Sequence, residues 1–181
     1  IIVDGGNTSR TEEVINESHR EANEIEILHV SQSSKGIAAA RNEGISKSNA
    51  GYVAFLDDDD IWHHKKLELQ QQKLSKTNEV GLVYTGVDHR TKEGSQIGRR
   101  LPEYEGDIYE QLLIRNEIGT LSSVLVGSEV ITEVTGFDEK LTICEDWDFY
   151  IRVSKSFKIS CVNKLLVTKQ FYSDSVLDNL N

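Results

Sequence analysis

The sequence predicts an α/β fold in which a mostly parallel central sheet is flanked by helices. Short apolar runs of strand-like composition alternate with longer segments that have helical periodicity. Most of the apolar runs end in clusters of Asp, Gly, Asn and Ser, which are typical of connecting loops. The resulting order β-α-β-α-β-α-β indicates a doubly wound sheet.

The first half of the chain supplies seven of the predicted elements. Ser9 and Glu12 have the spacing of a capping box, which predicts that a helix begins near residue 10. Residues 52–56 are apolar on both faces, as expected for a buried strand. The predicted strands are residues 1–3, 25–30, 52–56 and 80–85, and the predicted helices are residues 10–22, 36–49 and 65–74.

The second half contains fewer and shorter elements. Residues 88–100 are polar and contain glycine, so they predict a loop or a hairpin tip. The first strand of such a sheet normally precedes the segment that starts at Ile1, so we expect it to lie outside this sequence. The remaining predictions are helices over residues 107–115, 128–134 and 146–154 and strands over residues 121–126 and 165–170.

Composition limits the possible functions. The 181 residues suit one domain, and the net charge of −10 argues against non-specific binding to nucleic acid or anionic lipid. Cys144 and Cys161 form neither a disulfide framework nor a metal-binding spacing, which favours a reducing, cytoplasmic compartment. No apolar stretch approaches the roughly 20 residues that span a membrane.

Four consecutive aspartates, Asp57 to Asp60, directly follow the predicted buried strand 52–56. The carboxyl edge of an open α/β sheet is where ligands bind. Adjacent carboxylates repel one another, and hard cations such as Mg²⁺ and Mn²⁺ prefer carboxylate oxygens. The segment therefore indicates a cation site, although a solvated acidic loop is the simpler alternative.

Four segments together resemble a known family. Residues 1–9 (IIVDGGNTS), 36–44 (GIAAARNEG) and 55–62 (FLDDDDIW) are similar to the family segments IIVDDGSTD, G-x-x-x-ARN-x-G and FLDSDDIW. Residues 136–139 (GFDE) and 145–148 (EDWD) are similar to its GxFDE…ED pair. The segments occur in the family's order along nearly the whole chain. They resemble the catalytic domain of glycosyltransferase family 2, which has the GT-A fold.

The resemblance implies a metal-dependent inverting glycosyltransferase. The donor would be a nucleotide-diphospho-sugar, with a UDP-sugar the first choice, the acceptor a carbohydrate or other hydroxyl compound, and the cofactor Mn²⁺ or Mg²⁺. Residues 1–181 would form one catalytic domain, with a nucleotide-sugar-binding half (residues 1–87) and an acceptor-binding half (residues 88–181). Such an enzyme is expected in the cytoplasm or at the inner face of the membrane.

Within the acidic segment, the resemblance assigns different roles to neighbouring carboxylates. Asp59 is the metal ligand, and Asp57 lies nearer the donor ribose and also serves the metal. These two residues are two apart, so in an extended loop their side chains can point to the same side. Asp58 is also expected to contact the sugar-nucleotide donor. Asp58 and Asp60 could substitute for the other two, because the sequence does not rank four neighbouring aspartates.

Three further residues are candidates for binding the sugar-nucleotide donor. Asp4 follows the first strand, where the family contacts the base or ribose; a turn-forming Asp is the alternative. Arg41 could bind the nucleotide or a phosphate through paired N–H donors, whereas without the resemblance a surface arginine is favoured. Lys35 precedes the predicted helix start and is a weaker phosphate candidate.

The ED segment supplies the candidate catalytic groups. The resemblance makes Asp146 the general base that takes the acceptor proton, and its alternative is a helix N-cap. Glu145 would assist by positioning or hydrogen bonding. Trp147 could line the acceptor site or belong to the core, and Trp62 has the same two interpretations.

The chain departs from the family at two positions. Gly5 replaces the usual second aspartate, which helps to recognise the base, and Tyr172 stands where a histidine is usual. A phenol with an ordinary pKa of about 10 is a poor metal ligand at neutral pH. None of the five histidines has an evident site role. The alternatives to a transferase are a nucleotidyltransferase with a similar sheet and a glycosyltransferase-like domain that binds without turnover.

Overall fold

Eight strands form the framework of the chain in a computed structural model that describes residues 1–6, 8–21, 25–76 and 79–171. The strands are β1 Ile2–Asp4, β2 His29–Ser31, β3 Tyr52–Ala54, β4 Asp60–Trp62, β5 Val80–Thr91, β6 Gln96–Arg100, β7 Leu125–Gly127 and β8 Lys158–Phe171. The helices are α1 Thr8–Glu21, α2 Ile37–Ser46, α3 Lys66–Leu74, α4 Tyr109–Ile114, α5 Ser128–Glu133 and α6 Glu145–Ser156, with a 3₁₀ turn at Leu121–Ser123. The predicted α/β class is confirmed.

The strands form two sheets in the described part of the chain. β1 and β2 are a parallel pair, and a second sheet has the order β3-β7-β5-β8-β4 with β6 on the edge of β5. In the second sheet β5 and β8 are parallel, whereas the other four pairings are antiparallel. The expectation of a mostly parallel sheet is therefore wrong for the strand pairs that the structure describes.

A short connection explains one of the antiparallel pairings, that of β5 with β6. The turn between β5 and β6 spans residues 92–95, and a parallel crossover needs a dozen or more residues. The segment 88–100 is thus a hairpin, one of the two structures that its composition predicts. β4 begins inside the aspartate run and is only three residues long, so neither its length nor its composition predicts a strand.

Other elements keep their predicted type and change their bounds. The predicted strand 121–126 is a 3₁₀ turn followed by β7, and β8 begins at Lys158, earlier than predicted. α1 begins at Thr8, and the predicted end of this helix lies outside the described residues. The predicted strand over residues 25–30 is regular only from His29.

Both faces of the second sheet are covered. Leu82 and Tyr84 point into the main core with Phe149 of α6, whereas Val83 joins Leu74 of α3 in a smaller cluster on the opposite face. Successive side chains of a strand point to opposite faces, so β5 contributes alternately to the two clusters. All five side chains are buried.

Helix α2 connects the two sheets. A Cβ at Gly44 would lie 3.3 Å from Val3 Cγ2, so a glycine there permits close packing on β1. On its other side, Ala38 belongs to the main core and Ile45 packs against it. Residues 41 and 42 consequently lie between β1 and the second sheet.

Asn42 connects α2 to the loop before α6. Its Oδ1 accepts a hydrogen bond from Phe137 N at 2.9 Å, and its Nδ2 donates to Phe137 O at 2.9 Å and Glu139 Oε1 at 2.9 Å. Gly136 has φ 66°, and a Cβ there would lie 2.6 Å from Asn42 Oδ1. The glycine is thus required both by its backbone conformation and by this contact.

None of the helices in the described ranges is long and apolar enough to cross a membrane.

Asn42→Ala should lower the free energy of unfolding by about 2 kcal/mol, because it leaves partly buried backbone groups of Phe137 without their partners. Urea unfolding followed by circular dichroism measures this difference. Asn49→Ala, at an exposed position shortly after the same helix, is the control and should change stability by less than about 0.5 kcal/mol. Equal stability of the two variants would contradict the assigned role of Asn42.

Candidate active site

A groove of about 890 Å³ lies between β1 and β3 and is lined on one side by α2. In the described residues β1 and β3 are not hydrogen-bonded to each other, so their facing edges border the groove. Apolar residues of β1, α2 and β3 line it together with the polar residues Asp4, Arg41, Lys169 and the acidic segment. The volume is in the range of small-molecule sites.

The acidic segment divides into two parts. Asp57, Asp58 and Asp59 line the groove. The backbone of this segment is held in place by Asp57 N, which donates to Ser122 Oγ at 3.0 Å, and by Asp60 N, which donates to Asp57 O at 3.1 Å. The prediction of a carboxylate cluster at a strand end is therefore met by three of the four aspartates.

Asp60 instead points into the protein. It is buried, its Oδ2 accepts a hydrogen bond from Thr120 Oγ1 at 3.3 Å, and its Oδ1 has no hydrogen-bond partner in the described residues. Burial raises the pKa of this carboxyl, with smaller contributions from the neighbouring carboxylates of Asp59 and Asp57. The structure thus ranks Asp60 below the other three as a ligand for a molecule in the groove.

Arg41 joins the acidic segment to α6. Its guanidinium donates to Glu145 Oε1 at 2.6 Å and to Asp57 Oδ1 at 3.2 Å. The side chain is only 11% exposed, so the alternative of a surface arginine is wrong. The Phe137 ring lies 5.5 Å from the guanidinium carbon and covers its apolar face.

Asp146 lies in the first turn of α6, beside Glu145. The N-cap of this helix is Cys144, whose φ of 59° is left-handed, so the interpretation of Asp146 as the N-cap is wrong. The Oδ1 of Asp146 accepts a hydrogen bond from Trp147 N at 2.7 Å. Burial, followed by the charge of Glu145, raises the pKa of Asp146, while Trp147 N and Arg41 lower it. A raised pKa makes a carboxylate a stronger base.

Both tryptophans are anchored by their indole N–H groups. Trp147 Nε1 donates to Leu112 O of α4 at 2.7 Å, and Trp62 Nε1 donates to Ser122 O at 2.8 Å. Each ring is partly exposed. Trp147 is therefore fixed to the scaffold beside the candidate base, and its contact with an acceptor stays a prediction.

The residues expected to bind the sugar-nucleotide donor do not all line the groove. Asp4 lines the groove, and its Oδ1 accepts a hydrogen bond from Gly6 N at 2.7 Å. A hydrogen bond from Thr11, followed by that of Gly6, lowers the pKa of Asp4. Lys35 is exposed and is not part of the groove lining. Tyr172 lies outside the described residues.

Gln32 was not predicted as a site residue, although it fills the space beside Gly5. A Cβ at Gly5 would lie 2.4 Å from Gln32 Oε1. The side-chain amide of Gln32 is held because its Nε2 donates to Gly36 O at 2.8 Å. The backbone of the same residue is held because Gln32 N donates to Asp4 O at 2.8 Å. The parallel pairing of Asp4 with Ser31 could have indicated this neighbour, had the register been known.

Lys169 is a second residue that the sequence did not predict. It lines the groove and is the cross-strand partner of Asp60 in the β4–β8 pairing. His89 of β5 is the next residue in the same row across the sheet. Lys169 thus supplies positive charge close to the acidic segment, and only the register of β8 reveals its position.

The side chains of the groove supply some, and not all, of the atoms that coordinate a divalent cation. In the described ranges, no group of three His, Cys, Asp or Glu side chains lies close enough to hold a metal ion alone. Asp57 and Asp59 offer carboxylate oxygens in the groove. Mg²⁺ is commonly bound by one or two carboxylates together with substrate phosphates and water. The two aspartates fit that mode of binding.

A profile of the family described as glycosyl transferase family 2 matches residues 1–131. The chain belongs to this family. The matched residues include Asp4, Arg41 and the acidic segment, whereas Glu145 and Asp146 lie beyond them.

Curated relatives carry glycosyltransferase names. The chain is 26% identical to an uncharacterized glycosyltransferase of Methanocaldococcus jannaschii, over 92% of this chain and 58% of the relative. It is 26% identical to chondroitin synthase of Pasteurella multocida, over 96% of this chain and 18% of that protein. It is 30% identical to the UDP-Glc:alpha-D-GlcNAc-diphosphoundecaprenol beta-1,3-glucosyltransferase WfgD of Escherichia coli, over 75% of this chain and 51% of the enzyme. The chain thus spans only part of these proteins.

Solved structures confirm the predicted GT-A fold. S. aureus TarS 1–349 in complex with UDP matches with a TM-score of 0.69 and 17% identity, covering 97% of this chain and 52% of that one. The complex of TarS 1–349 with UDP-GlcNAc matches with a TM-score of 0.67 and 16% identity, over 93% and 48% of the two chains.

Gly5→Asp alone should lower the free energy of unfolding by about 0.5–1.5 kcal/mol, because the new Cβ displaces the exposed end of the flexible Gln32 side chain from Gly36 O. The double variant Gly5→Asp/Gln32→Ala should be more stable than the sum of the single changes predicts, since it removes the clash. Urea unfolding of the parent, both single variants and the double variant gives this coupling. Additive effects would contradict the contact.

Proposed function

We propose that the chain is the catalytic part of a metal-dependent inverting glycosyltransferase that moves a sugar from a UDP-sugar to an acceptor hydroxyl. The observation that carries this proposal is the double pairing of Arg41, at 3.2 Å to Asp57 in the groove and at 2.6 Å to Glu145 beside Asp146. It connects a carboxylate of the groove to the residue that precedes the candidate base. Family membership and the UDP-containing names of a relative and of neighbouring structures support the donor class.

The groove gives each part of the donor a chemically suitable wall. The nucleoside would lie at the β1 end, beside Asp4 and Gly5, and the diphosphate would lie toward the acidic segment and Arg41. Arginine presents planar paired donors to phosphate, and Lys169 adds a second positive charge in the same lining. The exposed Lys35 is not needed in this arrangement.

A divalent cation would be held by Asp59, with Asp57 as its second carboxylate. Once bound, Mn²⁺ or Mg²⁺ would neutralise the charge that develops on the departing diphosphate. The remaining chemistry belongs to the chain's own residues. Asp146 would accept the proton of the acceptor hydroxyl while its oxygen forms a bond to the anomeric carbon. The bond from that carbon to the diphosphate oxygen breaks in the same step, and one such displacement inverts the anomeric centre.

A binding domain without turnover is the second candidate. It is favoured by the ion pair of Asp57 with Arg41, since the guanidinium balances the negative charge that a cation would need. The described residues also contain no group of three side chains that could bind a metal ion. Family membership leaves the nucleotidyltransferase alternative without support. Slow hydrolysis of a UDP-sugar by the purified protein would favour a transferase, whereas tight binding without any hydrolysis would favour the binding domain.

Asp59→Ala should abolish the Mn²⁺-dependent part of stabilisation by UDP, since it removes the proposed metal ligand. The measurement is thermal unfolding with UDP in the presence and absence of Mn²⁺; a parent protein at a hundredfold excess of ligand over the dissociation constant should gain about 2.7 kcal/mol. Asp58→Ala is the matched comparison and should retain most of the effect. Loss of the effect in Asp58→Ala alone would transfer the metal role to Asp58.

Asp146→Asn should leave UDP affinity nearly unchanged and lower the rate of transfer or donor hydrolysis about 10²–10⁴-fold, because the amide cannot accept the proton. Asp148→Asn is the control on the same helix: it loses only the pairing with Arg152 at 2.8 Å and should keep the rate within about twofold. A variant that retains more than about a third of the parent rate would remove Asp146 from the role of base.

The pH dependence of the same reaction provides an independent measurement. A base must be deprotonated, and the pKa of Asp146 is raised by burial. The activity of the parent should therefore fall as the pH decreases, with a midpoint above 3.8, the ordinary pKa of an aspartate. This acid limb should be absent from the residual activity of Asp146→Asn.

A further inference from the structure

Three side chains spaced four residues apart donate hydrogen bonds to three consecutive backbone carbonyls. Trp62 Nε1 donates to Ser122 O at 2.8 Å, Gln70 Nε2 to Ser123 O at 2.9 Å, and Lys66 Nζ to Val124 O at 3.3 Å. Trp62 ends β4, and the other two donors lie on one face of α3. We refer to Trp62, Lys66 and Gln70 as the donor row and to residues 120–124 as the carbonyl segment.

Side chains of the carbonyl segment contact the first and the last aspartate of the acidic segment. Ser122 Oγ accepts a hydrogen bond from Asp57 N at 3.0 Å, and Thr120 Oγ1 donates to Asp60 Oδ2 at 3.3 Å. Asp58 and Asp59 lie between these two contacts. The carbonyl segment is consequently the layer between the donor row and the carboxylates of the groove.

The two members of the donor row on α3 are polar side chains in the interior, and Gln70 Nε2 also donates to Val83 O of β5 at 2.7 Å. Lys66 and Gln70 have no solvent exposure, and Gln70 Oε1 has no hydrogen-bond partner in the described part of the chain. The Lys66 ammonium lies 4.2 Å from the centre of the Trp62 ring, and burial lowers its pKa to about 7. A buried amine is costly to desolvate, and its hydrogen bond to Val124 O offsets only part of that cost.

We propose that Trp62, Lys66 and Gln70 are positioning residues that hold the acidic segment in its ligand-binding conformation through the carbonyl segment. Fixing the three carbonyls fixes the backbone of Ser122, which in turn places its Oγ under Asp57 N. The carboxylates of Asp57 and Asp59 are then oriented before a ligand enters, and preorganisation of this kind increases affinity. The role in ligand binding rests on the proposed function, whereas the structural coupling does not.

The first test measures the coupling without any ligand. Lys66→Met and Gln70→Leu remove the donors and keep the approximate volume, and Lys65→Met and Gln71→Leu change exposed neighbours on the same helix. Hydrogen–deuterium exchange of the Asp57 amide, followed by NMR, should accelerate about tenfold or more in the first pair and stay unchanged in the controls. Urea unfolding should show that the first pair is less stable than the parent, because buried carbonyl groups lose their donors, and that the controls are as stable as the parent.

The second test measures binding. The dissociation constant for UDP with Mn²⁺ should rise about tenfold in Lys66→Met and Gln70→Leu, by calorimetry, and stay unchanged in the controls. Trp62→Phe keeps a smaller aromatic ring beside Lys66 and removes the N–H donor to Ser122 O, so it tests the same coupling if a change on α3 prevents folding. It should likewise accelerate exchange at Asp57.

The outcomes separate the two proposals. Unchanged exchange at Asp57 in folded variants of the donor row would overturn the positioning role, as would lower stability with unaltered UDP affinity, since both indicate a purely structural role. If the parent binds no UDP, the proposed function fails, and the exchange measurement still decides whether the donor row holds the acidic segment.

Discussion

The arrangement of the site depends on the two pairings of Arg41. The arginine is nearly buried, and its partners Asp57 and Glu145 belong to segments that are far apart in the chain. Removing one member of a buried ion pair leaves an uncompensated charge, at a cost of about 3–5 kcal/mol. Asn42, the next residue, binds the loop that leads to α6. Two consecutive residues of α2 therefore fix the start of α6 relative to the acidic segment.

Contacts within the protein balance or bury part of the negative charge of the four adjacent aspartates. Asp57 faces a guanidinium at 3.2 Å, and Asp60 is buried with a raised pKa and a Thr120 hydroxyl as its partner. Asp58 and Asp59 lie between these two residues in the chain and line the groove. The acidic segment is thus less a uniform cluster than a turn whose ends are fixed by the protein and whose middle faces the groove.

The sequence predicts those parts of the site whose chemistry is local. Asp57 and Asp59 follow a recognisable strand and line the groove, whereas Asp146 stands in a recognisable motif and is not part of the groove lining. Gln32 beside Gly5 and Lys169 opposite Asp60 depend on strand register, which is a property of distant segments. The mostly parallel sheet was mispredicted for a similar reason, because the alternation of elements does not reveal that β7 lies antiparallel between β3 and β5.

On the proposed function, ligand binding would allow an exchange at Arg41. Asp57 Oδ1 is paired with the guanidinium, which competes with a cation for this carboxylate. A diphosphate entering the groove offers Arg41 a new anionic partner at the same time, and the charges remain balanced throughout. The pairing with Glu145 at 2.6 Å is shorter and lies away from the groove lining, so it can persist. Arg41 would then hold α6, and with it Asp146, in place while its second pairing passes from the protein to the ligand.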